Sequence, residues 1–273
     1  MPLANMRNLL TQAKEGGYAV GSFSVANMEC IRGVIQAAES LHAPVLLQIA
    51  ESRLAYSALS LIGPMMRSAA ERASVPVAVH LDHGKTLDVI REALDLGFTS
   101  VMCDASDRPI QENLALTRSV VEAAAPYGAA VEAEVGQIGR NEDGTECAEV
   151  IASMEDALLM DGSGIDALAV GIGNAHGLYT QLPHLHYEVL EELRGKLRSA
   201  LVLHGGSGLS DEQFRKLVLL GMRKINIATD IFRAQAMACQ GDDIFRNIAV
   251  SEQAVCEVVS RYIRLFGSEG KAG

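Results

Sequence analysis

The stretch PVAVHLDHGKTLDVIREALDLGFTSVMC, residues 76–103, contains one complete strand–helix–strand unit. Its two ends, PVAVHL and TSVMC, have the length and composition of buried strands, and the segment between them has the period of an amphipathic helix that closes near Gly97. A helix that connects two buried strands in this way is typical of a parallel sheet. The first strand leads directly into Asp82 and His83, two side chains that are costly to bury without a partner.

The same unit recurs along the whole chain. The predicted strands are residues 18–23, 44–50, 76–81, 99–103, 129–135, 166–172, 200–205 and 223–228. Eight strand–helix units predict a TIM barrel, because a doubly wound sheet more often has fewer strands and a GxGxxG turn after the first one, which this sequence lacks. Since no linker or shift in composition divides the chain, we expect a single TIM-barrel domain over residues 1–273, with a helical C-terminal extension over residues 251–273.

The composition restricts the partners that the protein can have. The chain carries 34 acidic and 23 basic residues, a formal charge of −11, which argues against nucleic acid and against anionic membranes. Its five cysteines have no CxxC spacing, as is typical of a reduced cytoplasmic protein. The N-terminus does not resemble a secretory signal, and no apolar run reaches about 18 residues. We therefore expect a cytoplasmic protein that binds neither nucleic acid nor membranes.

Polar residues collect where the predicted strands end, which is the end of a TIM barrel that carries the chemistry. These residues are Asp82, His83, Asp104, Glu132, Glu134, His176, His204, Asn226, Thr229 and Asp230. Three imidazoles from three strands, those of His83, His176 and His204, can converge on one Zn²⁺ ion and leave positions open for water or substrate. The sequence therefore predicts a catalytic zinc site at this rim.

The other four histidines are interpreted as structural. His42 precedes the second strand, and His184 and His186 lie in a loop and at a helix start. His80 is expected to point away from the rim and to pack against a helix.

A glycine-rich turn, HGGSG at 204–208, follows the seventh strand, and Ser210 and Gln213 after it have the spacing of a helix-capping box. Successive backbone N–H groups in such a turn bind anions, and TIM barrels commonly hold phosphate after strands seven and eight. Asp82, next to the predicted ligand His83, is suited to exchange a proton with an oxygen of the substrate. This combination favours proton transfer beside the carbonyl of a phosphorylated ketose.

Six motifs in order carry a family resemblance across essentially the whole chain. They are LDHG at 81–84, DAS at 104–106, VEAEVGQIGRNEDG at 131–144, NAHGLY at 174–179, LVLHGGSG at 201–208 and KINIATD at 224–230. In sequence and spacing they resemble the class II, zinc-dependent ketose-bisphosphate aldolases, which include fructose- and tagatose-bisphosphate aldolases. The resemblance implies a lyase that reversibly cleaves a ketose 1,6-bisphosphate, or a related ketose 1-phosphate, to dihydroxyacetone phosphate and an aldehyde.

The resemblance also implies roles for individual residues. His83, His176 and His204 match the zinc ligands, and Asp104 and Glu134 match a supporting or alternative metal site. Asp82 matches the proton donor, and Glu142 matches the acid that takes a proton from dihydroxyacetone phosphate. The segments that hold the phosphorylated half match Gly177, Gly205, Gly206, Ser207, Asn226, Ile227, Ala228 and Thr229. A Na⁺ or K⁺ ion at the phosphate and a homodimer or homotetramer are further implications.

Two departures from the family pattern bear on the aldehyde half of the substrate. Ser24 occupies the place of a usual Asn after the first strand, and after the second strand Ala50 replaces a Ser and Arg53 stands among small residues. These changes indicate, as the alternative to the usual aldehyde, one that ends in a carboxylate or carries a differently placed phosphate. Two further alternatives are a non-catalytic accessory subunit, which should have lost metal ligands, and a phosphosugar epimerase or isomerase, which would need a second acid–base group.

Overall fold

Eight parallel strands, hydrogen-bonded in chain order, close into a barrel in the computed structural model, which describes residues 3–139, 149–177, 179 and 181–273. The strands are β1 Val20–Ser24, β2 Val45–Ala50, β3 Val77–Gly84, β4 Ser100–Cys103, β5 Ala130–Val135, β6 Ala167–Val170, β7 Ala200–Leu203 and β8 Met222–Ile227. Each overlaps one of the predicted strands. The predicted TIM barrel is confirmed.

Helices alternate with the strands and surround the barrel. They are α1 Met6–Gly16, α2 Met28–Ser40, α3 Leu59–Arg72, α4 Leu87–Asp95, α5 Ile110–Ala124, α6 Met154–Asp161, α7 Tyr187–Leu193, α8 Asp211–Leu219, α9 Thr229–Ala238 and α10 Ile244–Phe266. The predicted C-terminal extension is α10, which begins at the Asp243 cap and ends at Gly267 with φ 73°. It packs closely on α2, because a Cβ atom at Gly33 would lie 2.7 Å from the carbonyl oxygen of Glu252.

The N-terminal end of the barrel is closed by α1. Its apolar face, Met6, Leu9, Leu10 and Ala13, packs against inward-facing apolar residues of the strands. Those residues are Val20, Leu46, Ala78, Ala130, Ala167, Ala169, Ala200 and Val202. Successive side chains of a strand alternate between its two faces, so the next inward residue of each strand lies one layer closer to the C-terminal rim.

That next layer is polar and fully buried. It contains Ser22, Gln48, His80, Ser100, Glu132 and Lys224. The Nδ1 atom of His80 lies 2.9 Å from Ser100 Oγ, inside the barrel. The expectation that His80 packs against a helix is therefore wrong, because Ala78, His80 and Asp82 share the inward face of β3.

A bulge at the end of β3 explains how two consecutive residues reach the same rim. The pairing of β3 with β4 shifts register between Leu81 and Gly84, and His83 has φ 46°, in the left-handed region. Without this irregularity Asp82 and His83 would point to opposite faces of the strand. The strand thus extends to Gly84, past the predicted end at residue 81, and it carries both functional candidates.

Within the part of the chain that the structure describes, no helix combines the length and apolarity needed to cross a membrane. Four cysteines of that part, Cys30, Cys103, Cys239 and Cys256, have free thiols.

Candidate active site

Three histidine rings meet at the C-terminal rim of the barrel. His83 comes from the end of β3, His176 from the loop after β6, and His204 follows β7 directly. The Nε2 atom of His83 lies 3.0 Å from Nδ1 of His204, and the ring centroids of His83 and His176 are 4.8 Å apart. All three rings are buried, and each offers a nitrogen within 4.8 Å of the other two. The structure therefore brings together the three predicted zinc ligands.

Two carboxylates orient two of the three rings. Asp104 Oδ2 lies 2.8 Å from His83 Nδ1, and Glu132 Oε1 lies 2.8 Å from His204 Nε2. If each of these ring nitrogens donates its hydrogen to the carboxylate, His83 Nε2 and His204 Nδ1 face the cluster with free lone pairs. Carboxylates that hold imidazoles in this way are a regular feature of metal sites, since they set both tautomer and ring orientation.

The charges of the cluster favour a cation between the rings. Burial lowers the pKa of His83, but the Asp82 and Asp104 carboxylates outweigh this effect and raise it to about 10. Burial, with the positive charge of His83, holds the pKa of His204 well below its ordinary value. Carboxylates that stabilise positive charge at His83 in this way also suit a divalent cation between the rings.

A buried carboxylate oxygen supports the same conclusion. Glu134 Oε2 lies 3.6 Å from His204 Nδ1 and has no hydrogen-bond partner among the described residues. Burial raises the pKa of Glu134 to about 8, and the nearby Asp104 carboxylate adds to this effect. His83, Asp104 and Glu134 form a second group of atoms within 4.8 Å of one another. This donor set of imidazoles and carboxylates fits a divalent metal ion.

Asp82 is fully buried beside the histidine cluster and is held by two amides. Its Oδ1 accepts a hydrogen bond from Asn226 Nδ2 at 3.1 Å, and its Oδ2 accepts one from Gln48 Nε2 at 3.0 Å. Oδ2 is also 4.0 Å from His83 Nε2. These contacts fix the carboxylate next to the histidine cluster.

A small pocket adjoins the cluster on the β6–β8 side. Its lining residues are His176, Gly177, Gly205, Gly206, Ser207, Asn226, Ala228 and Thr229. These include every residue predicted to hold the phosphorylated half of the substrate except Ile227. The side chain of Ile227 is instead fully buried in the hydrophobic layer, so only its backbone is available to the pocket.

Backbone groups shape this pocket. Gly205 has φ 64°, and a Cβ atom there would lie 2.2 Å from the carbonyl oxygen of Ala175, so only glycine fits. The Tyr179 hydroxyl accepts from Ala175 N at 2.8 Å and donates to Gly205 O at 2.9 Å, which joins the loops after β6 and β7. Helix α9 begins at Thr229, which lines the pocket. A helix N-terminus beside a glycine-rich turn is a favourable site for phosphate.

The three residues predicted to face the aldehyde half lie on β1, on β2 and in the turn after β2. Ser24 is buried and accepts a hydrogen bond from Gln48 Nε2 at 3.1 Å, while Ala50 pairs with Asp82 across β2 and β3. Arg53 ends a 3-10 turn, Glu51–Arg53, directly after β2 and is partly buried. All three positions thus lie near Asp82 or on the adjacent rim. Glu142 lies outside the described residues.

Besides Glu132, two buried residues of the site have no role assigned from the sequence. Lys224 and Gln48 face the barrel interior and contact Asn226 and Asp82, respectively. The signal for Lys224 was its spacing of two from Asn226, which puts both on one face of a strand.

Comparisons with known proteins identify the family. A family model described as "Fructose-bisphosphate aldolase class-II" matches residues 4–271. A 6-phospho-5-dehydro-2-deoxy-D-gluconate aldolase from Halalkalibacterium halodurans is 38% identical, with 100% of this chain and 99% of the relative covered. A fructose-bisphosphate aldolase from Staphylococcus aureus is 37% identical, with both chains covered completely. The crystal structure of the YdjI aldolase from Escherichia coli K12 matches with a TM-score of 0.91 at 36% identity, covering 99% of this chain and 100% of that one.

These relatives are similar to this chain over its full length, and they are named as aldolases with two different substrates. The predicted family and enzyme class are confirmed. The chain belongs to the class II fructose-bisphosphate aldolase family and is an aldolase, a lyase that acts on carbon–carbon bonds.

Proposed function

We propose that the protein reversibly cleaves a ketose 1-phosphate or 1,6-bisphosphate to dihydroxyacetone phosphate and an aldehyde. The observation that carries this proposal is the convergence of three imidazoles, a fixed carboxylate and a small glycine-lined pocket at one rim. Fructose and tagatose bisphosphates are the standard substrates to test. In this proposal the ion is Zn²⁺, held by His83, His176 and His204, with Asp104 and Glu134 as a supporting or alternative site.

When bound, the zinc ion supplies a Lewis acid that polarises the substrate carbonyl. Asp104 and Glu132 hold the His83 and His204 rings for this purpose. The phosphate is held by backbone N–H groups of the 205–207 turn and of the α9 N-terminus, and a Na⁺ or K⁺ ion assists there.

In the cleavage direction, Asp82 takes the proton from the hydroxyl group on the carbon that becomes the aldehyde. The electron pair of the O–H bond forms the new C=O bond as the neighbouring carbon–carbon bond breaks. The electron pair of that carbon–carbon bond passes to the ketone half. In the condensation direction Asp82 returns the proton to the aldehyde oxygen. The two amide donors that hold Asp82 support this role, since proton transfer requires a carboxylate in fixed position.

Glu142 is proposed to add the proton to the carbon of the ketone half, which gives dihydroxyacetone phosphate. Glu142→Gln is expected to slow exchange of one dihydroxyacetone phosphate hydrogen with D₂O by roughly 10²-fold, the usual contribution of a positioned acid–base group. The measurement is proton NMR of dihydroxyacetone phosphate in D₂O, with Glu149→Gln as a control at an exposed position. A normal exchange rate in Glu142→Gln would indicate that Glu134 or Asp104 transfers this proton instead.

The candidate substrates share the dihydroxyacetone phosphate half and differ in the aldehyde half. The turn that carries Arg53 is anchored beside the end of β3, because Glu51 Oε2 accepts the N–H groups of Lys85 at 2.6 Å and Thr86 at 3.3 Å. A guanidinium on this rim suits bidentate binding of a carboxylate or phosphate. The name of the Halalkalibacterium halodurans relative specifies a phosphorylated gluconate, a sugar acid. These observations favour, as the alternative to a bisphosphate, a ketose phosphate whose far end is a carboxylate.

A substrate panel tests this alternative. We expect Arg53→Ala to lower kcat/KM by roughly 10-fold or more for the substrate with the terminal acid, since hydrogen bonds to charged groups contribute about 1.5–3 kcal/mol. Dihydroxyacetone phosphate release should be measured with fructose 1,6-bisphosphate, tagatose 1,6-bisphosphate and 6-phospho-5-dehydro-2-deoxy-D-gluconate. Arg72→Ala, at an exposed position on α3, is the matched control. The wild-type enzyme could instead cleave fructose bisphosphate with a high kcat/KM that Arg53→Ala leaves unchanged. That result would show that the departures at Ser24, Ala50 and Arg53 have no effect on substrate choice.

We infer a cytoplasmic location for the enzyme, in line with the free thiols of the described cysteines. We also infer a homodimer or homotetramer, as the family resemblance implies. Light scattering of the purified protein measures the oligomeric state, and a monomeric mass would contradict it.

A further inference from the structure

Lys224 occupies an unusual place for a lysine. It lies on β8 in the polar layer of the barrel interior, and its side chain is fully buried. Its ammonium group contacts two residues from different parts of the site. Nζ donates to Asn226 Oδ1 at 2.7 Å, and it lies 2.9 Å from Oε2 and 3.3 Å from Oε1 of Glu132.

The contact with Asn226 determines which end of that amide meets Asp82. An ammonium group can only donate, so it selects the amide oxygen and leaves the NH₂ group on the other side. That NH₂ group donates to Asp82 Oδ1 at 3.1 Å. Without Lys224, the Asn226 amide could rotate by half a turn and present its oxygen to the carboxylate of Asp82.

The contact with Glu132 reaches the metal cluster. Glu132 Oε1 lies 2.8 Å from His204 Nε2, so the carboxylate that Lys224 neutralises is the one that orients His204. A buried carboxylate without its cation is costly and would shift to other partners. One ammonium group therefore connects the orientation of a metal ligand to that of the proton-transferring carboxylate.

We propose that Lys224 is a positioning residue with two separate effects, on metal affinity through Glu132 and His204, and on catalysis through Asn226 and Asp82. It meets the pocket lining through Asn226 and the metal cluster through Glu132, which holds His204. The inference rests on the proposed function for the roles of His204 and Asp82.

The first variant is Lys224→Met, which keeps the length of the side chain and removes its donors. We expect zinc affinity to fall about 10–100-fold, the usual effect of losing an outer partner of a metal ligand. We expect kcat of the zinc-loaded enzyme to fall about 10–100-fold as well, because Asp82 loses its fixed orientation. Zinc affinity is measured by competition with a chromophoric chelator, which needs no catalysis. Lys196→Met, at an exposed position after α7, is the matched control.

The second variant, Lys224→Met combined with Glu132→Gln, separates the two effects. It restores charge balance in the interior, and the new amide oxygen still accepts from His204 Nε2, so zinc affinity should return close to the wild-type value. The value of kcat should stay low, because Asn226 still lacks the ammonium group. This variant also carries the test if Lys224→Met alone does not fold.

Wild-type zinc affinity and kcat in folded Lys224→Met would overturn the inference. Full recovery of kcat in the double variant would also overturn it, since Lys224 would then only neutralise Glu132. A wild-type enzyme that neither binds zinc nor cleaves ketose phosphates would refute the proposed function instead, and the two failures are therefore distinguishable.

Discussion

Asp82→Ala is expected to lower kcat for carbon–carbon cleavage by roughly 10²-fold or more, the usual effect of removing a positioned acid–base group. Zinc should remain bound, because the three imidazoles are unchanged. The variant removes the buried acceptor of Asn226 Nδ2, which costs about 1–3 kcal/mol of stability, while Gln48 Nε2 keeps its hydrogen bond to Ser24 Oγ. Dihydroxyacetone phosphate release and zinc content should therefore be measured together, below the melting temperature of the variant.

Asp82→Asn provides the matched comparison. It keeps the shape of the side chain and removes its capacity to exchange a proton, so its kcat should be as low as that of Asp82→Ala. Asp88→Ala, at an exposed position on α4, should cleave at the wild-type rate. If Asp82→Asn cleaved normally, the proton transfer would belong to another group, and Glu134 would be the first candidate because of its buried position.

His204→Ala is expected to lose zinc and cleavage together. Removing one of three imidazoles leaves an incomplete ligand set, and Glu132 loses the ring nitrogen that it holds at 2.8 Å. Metal content after dialysis should fall from about one zinc per chain to a small fraction, and kcat should fall to background. The control is His184→Ala, at an exposed position after β6. Full zinc occupancy in His204→Ala would show that a different set of residues holds the metal.

Most of the fold could be predicted from the sequence because the local patterns agree with the global topology. Short apolar runs alternate with amphipathic segments, and glycines such as Gly97 and Gly128, with φ 82° and 65°, end those segments. The end of β3 was the main exception. The register shift and the positive φ of His83 depend on the neighbouring strand, so the local pattern placed the strand's end two residues before His83.

The rim residues could be predicted because a parallel barrel brings the C-terminal ends of its strands together. The polar interior layer was harder to predict. Whether a residue such as His80 faces inward depends on the phase of its strand, and a strand buried on both faces has no polar–apolar alternation that reveals this phase. The burial of Lys224 is hard to predict for a related reason, since a lysine in a strand is usually exposed, and its burial depends on the contacts of Nζ with Glu132 and Asn226.

The most direct test of the central claim is the cleavage activity of the wild-type enzyme after metal removal and zinc titration. EDTA should abolish dihydroxyacetone phosphate release, and activity should return in proportion to added zinc, up to about one ion per chain. Borohydride added with dihydroxyacetone phosphate should leave the enzyme active and unmodified, because the proposed reaction uses no lysine Schiff base. Full cleavage by metal-free protein, or a covalent adduct on a lysine after borohydride treatment, would contradict the account.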